Sequence, residues 1–489
     1  MVLEKTEKAL SITHYTVLNN RIIHIVFLLL CVVRASAWDW WPLPMAQPDT
    51  CRDSLFYAGG VSAVVSSPAG SPTWIHGNRN GEISTMPYSG NIHLGIIKPA
   101  TRPSRWYDWD GAAVLSGRIA GSSSEVHGTG FFSLLYAHAR LYVFDITVGI
   151  KPIYSTLGDA ELTAGDLLFS NNAHPIPRIT IGIDRYTAFP GLYGYVEVRG
   201  GITHGWLNDN NPYITNTLLH HKFIGGRIGG KWPVNLTYEL HHAAQWGGYE
   251  NGILDLGNDW NSFVRVFSGK QGGATTIDQL NTQGNHMVSQ LLCLTAKGEK
   301  WHIDLYWQDF QEDGAVHFIG GRRGSKDGRW GIHAAQDVWP FISGFTFECI
   351  QMTDQSGPWH DRDGMVFGGD DFYYSNGVYK QGWTYFGRSI CSPLLSPSNS
   401  RVWAYHAGIK GDIYGYRYRL LCTYSDNYGT YHVRLNNHNT AVLLEVHKTI
   451  PKAWGLDFGV ALGGDFGTLY GTRLGGIITI SKRGIIKSW

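Results

Sequence analysis

Flat aromatic rings and charged or amide side chains occur together in the longest irregular stretches of this chain. Trp359-His360-Asp361-Arg362-Asp363 is one such run, Trp383, Tyr385 and Arg388 follow it, Glu312 and Asp313 precede it, and Trp246 closes an alternating segment further upstream. Aromatic faces stack on the apolar side of a pyranose ring, while carboxylates and guanidinium groups match its hydroxyls. Trp246, Glu312, Asp313, Trp359, His360, Asp361, Arg362, Asp363, Trp383, Tyr385 and Arg388 are therefore the candidates for contact with a polysaccharide. The competing assignment makes the rings loop packing or interface anchors, and the charges solvated or paired.

Other chemistry is thinner. The chain has no H-E-x-x-H, no G-x-S-x-G and no Walker loop. His220-His221 and His241-His242 invite a metal, but adjacent residues of a strand point to opposite faces and do not share one ion easily. Glu312-Asp313 has the residue types of a glycosidase pair, yet adjacency fixes no separation between the carboxyl groups. No catalytic residue, metal site or cofactor is expected, and the chain does not read as an enzyme.

The elements that must carry these residues alternate with a period of two. In Pro233–Trp246, Leu236, Tyr238, Leu240, Ala244 and Trp246 share one face, with His242 as the exception, against Asn235, Thr237, Glu239, His241 and Gln245. Trp301, Ile303, Leu305 and Trp307 oppose His302, Asp304, Tyr306 and Gln308. Tyr416, Tyr418, Leu420, Cys422 and Tyr424 oppose Arg417, Arg419, Thr423 and Ser425, and Trp454 to Leu462 repeats the scheme. In a transmembrane barrel the apolar face meets lipid, the polar face lines the lumen, and aromatic residues mark the interfaces. By that parity Arg178, Glu197, Arg199, Glu239, Glu348, Arg417 and Arg419 face the lumen, where charge without partners is costly.

Composition narrows the classes. The 489 residues are 13% aromatic with a formal charge of +1, which excludes a nucleic-acid binder by charge. Ile25–Val33 followed by Ala35-Ser-Ala37 reads as a signal peptide over residues 1–37, ahead of a short periplasmic segment, 38–53, and the barrel, 54–489. Removing residues 1–37 takes four basic and two acidic residues, so the formal charge passes from +1 to −1. Cys51, Cys293, Cys349, Cys391 and Cys422 then remain, an odd and widely spaced set that suggests neither disulfides nor zinc.

Strands are expected near Phe56–Val65, Asn91–Ile97, Ala112–Ile119, Phe131–Ala139, Leu141–Ile150, Pro177–Ile183, Tyr193–Leu207, Thr217–Gly229 and Asn235–Trp246. Further ones are expected near Ser262–Gly269, Val288–Ala296, Lys300–Phe310, Gly344–Met352, Val402–Lys410, Tyr414–Tyr424, Thr440–Lys448, Trp454–Leu462 and Thr472–Lys482, roughly 16 to 18 in all. Gly248–Trp260, Glu312–Trp339 and Thr353–Ser400 read as long outward loops. The terminal Trp489 matches the aromatic residue on which outer-membrane barrels end, and which the barrel assembly machinery reads.

Several segments resemble a known family. Leu167-Leu-Phe-Ser-Asn-Asn-Ala-His-Pro-Ile-Pro-Arg-Ile-Thr-Ile-Gly-Ile183, Ile202-Thr-His-Gly-Trp-Leu207, Leu218–Trp246, Thr353–His360, Asp370–Arg388 and Tyr424–Tyr431 are similar, in order, to the capsule assembly Wzi family as it occurs in Bacteroidetes. The resemblance implies an all-β, antiparallel transmembrane barrel of about 18 strands in the outer membrane of a Gram-negative cell, plugged by its own loops. The implied partners are capsular or exopolysaccharide, which the barrel binds like a lectin and helps retain, together with outer-membrane lipid and an export complex. Enterobacterial members carry periplasmic helices, and Trp38–Asp53 is too short for a comparable bundle. A porin or oligosaccharide channel fits the same strand pattern, and an outer-membrane hydrolase is the third alternative.

Overall fold

The computed structural model describes residues 53–100, 106–209, 211–280, 282–312, 326–355, 361–362, 365–366 and 372–489. The signal peptide and nearly all of the periplasmic segment expected above lie outside them. Eighteen antiparallel strands form one closed sheet. In chain order they are β1 (Ser54–Ser66), β2 (Tyr88–Lys98), β3 (Tyr107–Gly121), β4 (Val126–Leu141), β5 (Phe144–Ile150), β6 (Pro177–Ala188), β7 (Val196–Leu207), β8 (Thr217–Ile228) and β9 (Val234–Trp246). They continue as β10 (Asn285–Lys297), β11 (Trp301–Asp309), β12 (Gly328–Gln336), β13 (Gly344–Gln351), β14 (Arg401–Ile413), β15 (Tyr416–Gly429), β16 (Arg434–Ile450), β17 (Leu456–Gly467) and β18 (Arg473–Ser488). β1 pairs with β18 through Val61↔Ile480 and its neighbours, so no edge is left open.

Connections alternate in length around the barrel. Both ends of the barrel domain lie at the end with tight turns, such as 142–143, 298–300 and 414–415. Tyr414 and Gly415 both have positive φ, at 57° and 75°, the geometry whose twist suits a two-residue hairpin. The opposite end carries the long loops 67–87, 151–176, 247–284 and 352–400, and is therefore extracellular.

Outward side chains form an apolar belt, with Ile92, Leu94, Ile181, Ile224, Leu305, Leu462 and Ile478 all exposed. Aromatic residues rim it on the periplasmic side at Tyr142, Trp232, Trp301, Trp339, Tyr416 and Trp454, and on the extracellular side at Tyr88, Trp330, Tyr405, Tyr424 and Phe466. No described helix is long and apolar enough to cross a membrane. The strands do the crossing, and the chain is an outer-membrane β-barrel.

Two expected elements differ. Ser262–Gly269, expected as a strand, belongs to a helix, Trp260–Ser268, because Asp259 caps its first turn by accepting from the Ser262 amide (2.7 Å) and Gly269 ends it in the left-handed region. Conversely, β12 lies inside the stretch expected as a loop, with Trp330 and Ile332 outward and Arg329 and His333 inward. The two differences offset each other in the count.

Loops 67–87, 151–176 and 372–400 fold into the lumen. Trp74, Ile75, Leu162, Leu167, Phe169, Tyr373, Tyr374, Trp383 and Leu395 make a buried core there, against wall residues Val402, Ala404, Leu443, Ala461 and Ile477. The wall thins where the plug comes closest: a Cβ on Gly408 would lie 2.5 Å from the Leu162 carbonyl oxygen, and one on Gly463 would lie 2.9 Å from Ile75.

Candidate functional site

The plug fills the lumen unevenly. On the side of β11 to β17 it is bolted to the wall. The fully buried Glu348 carboxylate accepts hydrogen bonds from the Thr163 hydroxyl (2.7 Å), the Ala164 amide (2.7 Å), the Tyr306 hydroxyl (2.7 Å) and Arg329 (3.1 Å). Glu445 takes Arg79 of the plug (3.3 Å) and Arg419 of the wall (2.6 Å). Lys410 holds Asp159 (2.6 Å) and Glu161 (2.5 Å) at the tip of loop 151–176. Burying such charges is tolerable only because each has partners.

On the side of β5 to β10 a chamber of about 330 Å3 remains between plug and wall. Its polar lining includes Lys151, Asp166, Arg178, Asp184 and Arg199, and its apolar lining includes Phe169 and Phe223. Strand parity explains why these side chains converge: Arg178 and Asp184 alternate inward along β6, Arg199 along β7, His221 and Phe223 along β8, and His241 along β9.

Three of the lining rings form a flat platform. His221, Phe223 and His241 lie nearly parallel, with centroids 5.3–5.5 Å apart and interplanar angles of 13–22°. Arg199 rests over Phe223 at 4.8 Å, and also pairs with Glu239 (3.3 Å) and Asp184 (3.6 Å). Glu239 in turn accepts from Tyr186 (2.6 Å) and bonds His241 (2.9 Å), which fixes the platform from below. Asp184 stays 52% exposed, so its carboxylate is available inside the chamber. The arrangement offers a ring-sized apolar face beside a carboxylate and a guanidinium, in a volume typical of small-molecule sites (about 300–1,000 Å3).

All seven charged residues expected to face the lumen do so. Beyond those described, Arg178 donates to the Pro152 and Ile176 carbonyls (3.2 and 3.3 Å), Glu197 pairs with Arg227 (3.4 Å), and Arg417 pairs with Asp457. Arg178 thereby ties both ends of loop 151–176 to the chamber wall.

The candidate contact residues occupy other places. Trp383 lies inside the plug core, its indole nitrogen donating to the Leu168 carbonyl (2.7 Å) and its ring edge-on to Phe169. Glu312 accepts from the Tyr374 amide (2.5 Å), Tyr385 packs edge-on to Phe386, and Arg388 donates to the carbonyls of His76 (3.1 Å) and Ile83. These four are brought together in the plug. Trp246 faces the outside of the barrel, buried beneath the Trp260–Ser268 helix. Asp361 and Arg362 form a two-residue strand paired with Met365–Val366, while Asp313, Trp359, His360 and Asp363 lie outside the described residues. Among the described residues, Trp246, Glu312, Trp383, Tyr385 and Arg388 are absent from the chamber lining. The signal that points to it was parity: Phe223 is an aromatic residue on the inward, polar face of β8.

Within the plug, two histidines are held neutral. Burial, reinforced by the nearby Arg388 and Arg473, pushes His76 down to about 3. Burial, reinforced by Arg118 and Arg388, pushes His174 down to about 3. Arg388 itself is lowered to about 10 by burial and by Arg118.

No family model matches the sequence, and a search of curated proteins finds no relative. Among solved structures the fold is similar to Wzi of Escherichia coli, an outer membrane protein involved in group 1 capsule assembly and a carbohydrate-binding β-barrel. The TM-score is 0.56 at 13% identity, over 88% of this chain and 84% of that one. The fold is also similar to OprD of Pseudomonas aeruginosa, with TM-score 0.46, 11% identity and coverage of 89% and 96%. A BenF-like porin from Pseudomonas fluorescens matches with TM-score 0.46, 11% identity and coverage of 88% and 98%. The likeness is one of fold, and for Wzi it agrees with the family resemblance carried by the sequence.

Proposed function

We propose that this barrel binds capsular polysaccharide or exopolysaccharide and helps to retain it at the cell surface, without chemical turnover. The observation that carries the reading is the uneven filling of the lumen. A hydrophobic, hydrogen-bonded plug is incompatible with an open diffusion channel, and the space it leaves is a walled chamber with an aromatic platform beside the exposed carboxylate of Asp184. The carbohydrate binding of the Wzi barrel supports the same assignment. The contacts to glycan are divided between the chamber, at His221, Phe223, His241, Asp184 and Arg199, and the outer loops that carry Trp359 to Asp363. Glu312, Trp383, Tyr385 and Arg388 hold the stretch 372–400 in the lumen, and Trp246 seats the Trp260–Ser268 helix. An export complex at the periplasmic rim and recognition of Trp489 by the assembly machinery complete the proposal.

The test is the partition of surface glycan between pelleted cells and medium, in the parent strain, in a strain lacking the gene, and in one complemented with Phe223→Leu and Asp184→Asn. Glycan shifted to the medium with unchanged total and chain length is the expected result. An unchanged partition in the deletion strain overturns the assignment, and shortened chains favour a hydrolase.

A further inference from the structure

Beneath the outward Trp206 and Trp246, the outer face of four adjacent strands is polar. On β7 to β10 the outward residues at that height form a row in register, His204, His220, Ala244 and His286. The row nearer the membrane holds Ile202, Lys222, His242 and Val288, and the next one the exposed Ile224 beside Leu240. Bare imidazoles at this level would meet lipid, where polar groups without partners are expensive.

The structure covers them instead. The helix Trp260–Ser268 lies against the outside of the barrel, with Val266 and Phe263 packed on Ala244 and Trp246. His220 is sandwiched near Phe263 and Phe267 at 5.6 and 5.4 Å, and His242 bonds His286 (2.8 Å), which in turn bonds the Gln283 carbonyl (2.9 Å).

A helix nine residues long that served only as a lid would turn polar side chains outward. This one turns out Trp260, Val264 and Phe267, spaced i, i+4, i+7, with exposures of 73%, 44% and 36%. Ile253 and Leu280 on the flanking loop are exposed by 87% and 70%. Around the axis, the buried stripe and the exposed apolar stripe adjoin, and Asn261, Arg265 and Ser268 occupy the remaining arc. One edge thus faces the wall, one faces sideways at the level of the belt, and one faces water. That is the distribution of a helix lying in a membrane interface.

We propose that the helix Trp260–Ser268 is an outer-leaflet anchor that covers this polar arc of the barrel's outer face and seats on the lipid A of lipopolysaccharide. Trp260, Val264 and Phe267 contact its acyl chains, continuing the belt of Ile224 and Leu240. The C-terminal end supplies cations for its phosphates. Lys222 stands 4.2 Å over the Phe267 ring and donates to the Phe267 carbonyl, and the exposed Lys270 follows Gly269 directly. Ammonium groups and the helix terminus are thus grouped at one point of the interface. This assignment is independent of glycan binding in the lumen.

The test is photolabelling of the full-length protein in asymmetric vesicles. Lipid A with diazirine-bearing acyl chains occupies the leaflet on the side of the long loops, and phosphatidylethanolamine occupies the other. Mass spectrometry is expected to find adducts on the peptide holding Trp260–Phe267 together with adducts on the belt around Ile224. Belt adducts without helix adducts overturn the proposal. Val264→Asp with Phe267→Asp is expected to abolish the helix adducts and leave those of the belt. Should that variant fail to assemble, amide exchange in the native protein decides: residues 260–268 are expected to exchange more slowly in lipid A vesicles than in phosphatidylethanolamine vesicles, and equal rates overturn the anchor.

Discussion

The two halves of the lumen are built from strands of one continuous sheet and solve opposite problems. Along β14 to β17 small or aliphatic inward residues, Ala404, Leu443 and Ala461 among them, are interspersed with charged ones such as Lys410, Arg419 and Glu445 that pair with the plug or with each other, so the plug approaches closely. Along β6 to β9 the inward positions include Arg178, Asp184, Arg199, Phe223 and His241; Arg178 holds loop 151–176 by its ends, at Pro152 and Ile176, and a chamber persists between loop and wall. Burial density, rather than strand geometry, separates a structural half from a half able to bind. A barrel thus keeps a rigid stopper and a wet recess in one cross-section.

Breaking the packed half has the largest expected effect. Arg329→Met leaves the buried Glu348 carboxylate without its guanidinium and should cost about 3–5 kcal/mol, read as a lowered unfolding temperature and raised single-channel conductance as loop 151–176 leaves the wall. Gly408→Val drives a side chain into the Leu162 carbonyl and should cost about 1–3 kcal/mol, with a smaller rise in conductance by the same measurement.

Acid attacks the plug through His76 and His174. The unfolded histidines take up protons below about 6.5, whereas the folded ones resist until about 3, so plug stability is full at neutral pH and is lost as pH falls through that window. From pH 7 to 5 the loss should reach about 1–2 kcal/mol for each histidine, seen as a reversible increase in conductance. The chamber half sharpens the comparison by its indifference: Asp184→Asn and Phe223→Leu should shift the unfolding temperature little, within about 0.5 kcal/mol for the half-exposed Asp184, yet lower glycan affinity roughly tenfold in a binding titration.

The barrel was legible because lipid enforces parity: along β11 and β15 every outward residue named from alternation does face outward. Trp260–Ser268 was misread because Val264 and Val266 alternate locally about Arg265, while the decisive signals were the Asp259 cap and Gly269. β12 was hidden in a stretch dominated by charge and glycine. The chamber was only half legible. Alternation placed Arg178 and Arg199 in the lumen, but nothing in their local sequence tells that loop 151–176 leans away from them toward Glu348 and Lys410.

The helical turn Thr73–His76 carries a consequence for the order of assembly. It belongs to the first long loop, yet it docks on residues made near the end of synthesis: the Thr73 amide and hydroxyl reach Asp465 (2.9 and 3.1 Å), and the Trp74 indole reaches Thr423 (3.0 Å). Contacts separated by 392 and 349 positions form late, because the intervening chain must be ordered first. The earliest stopper segment therefore waits for the last strands, and its seating marks the moment at which the barrel is complete.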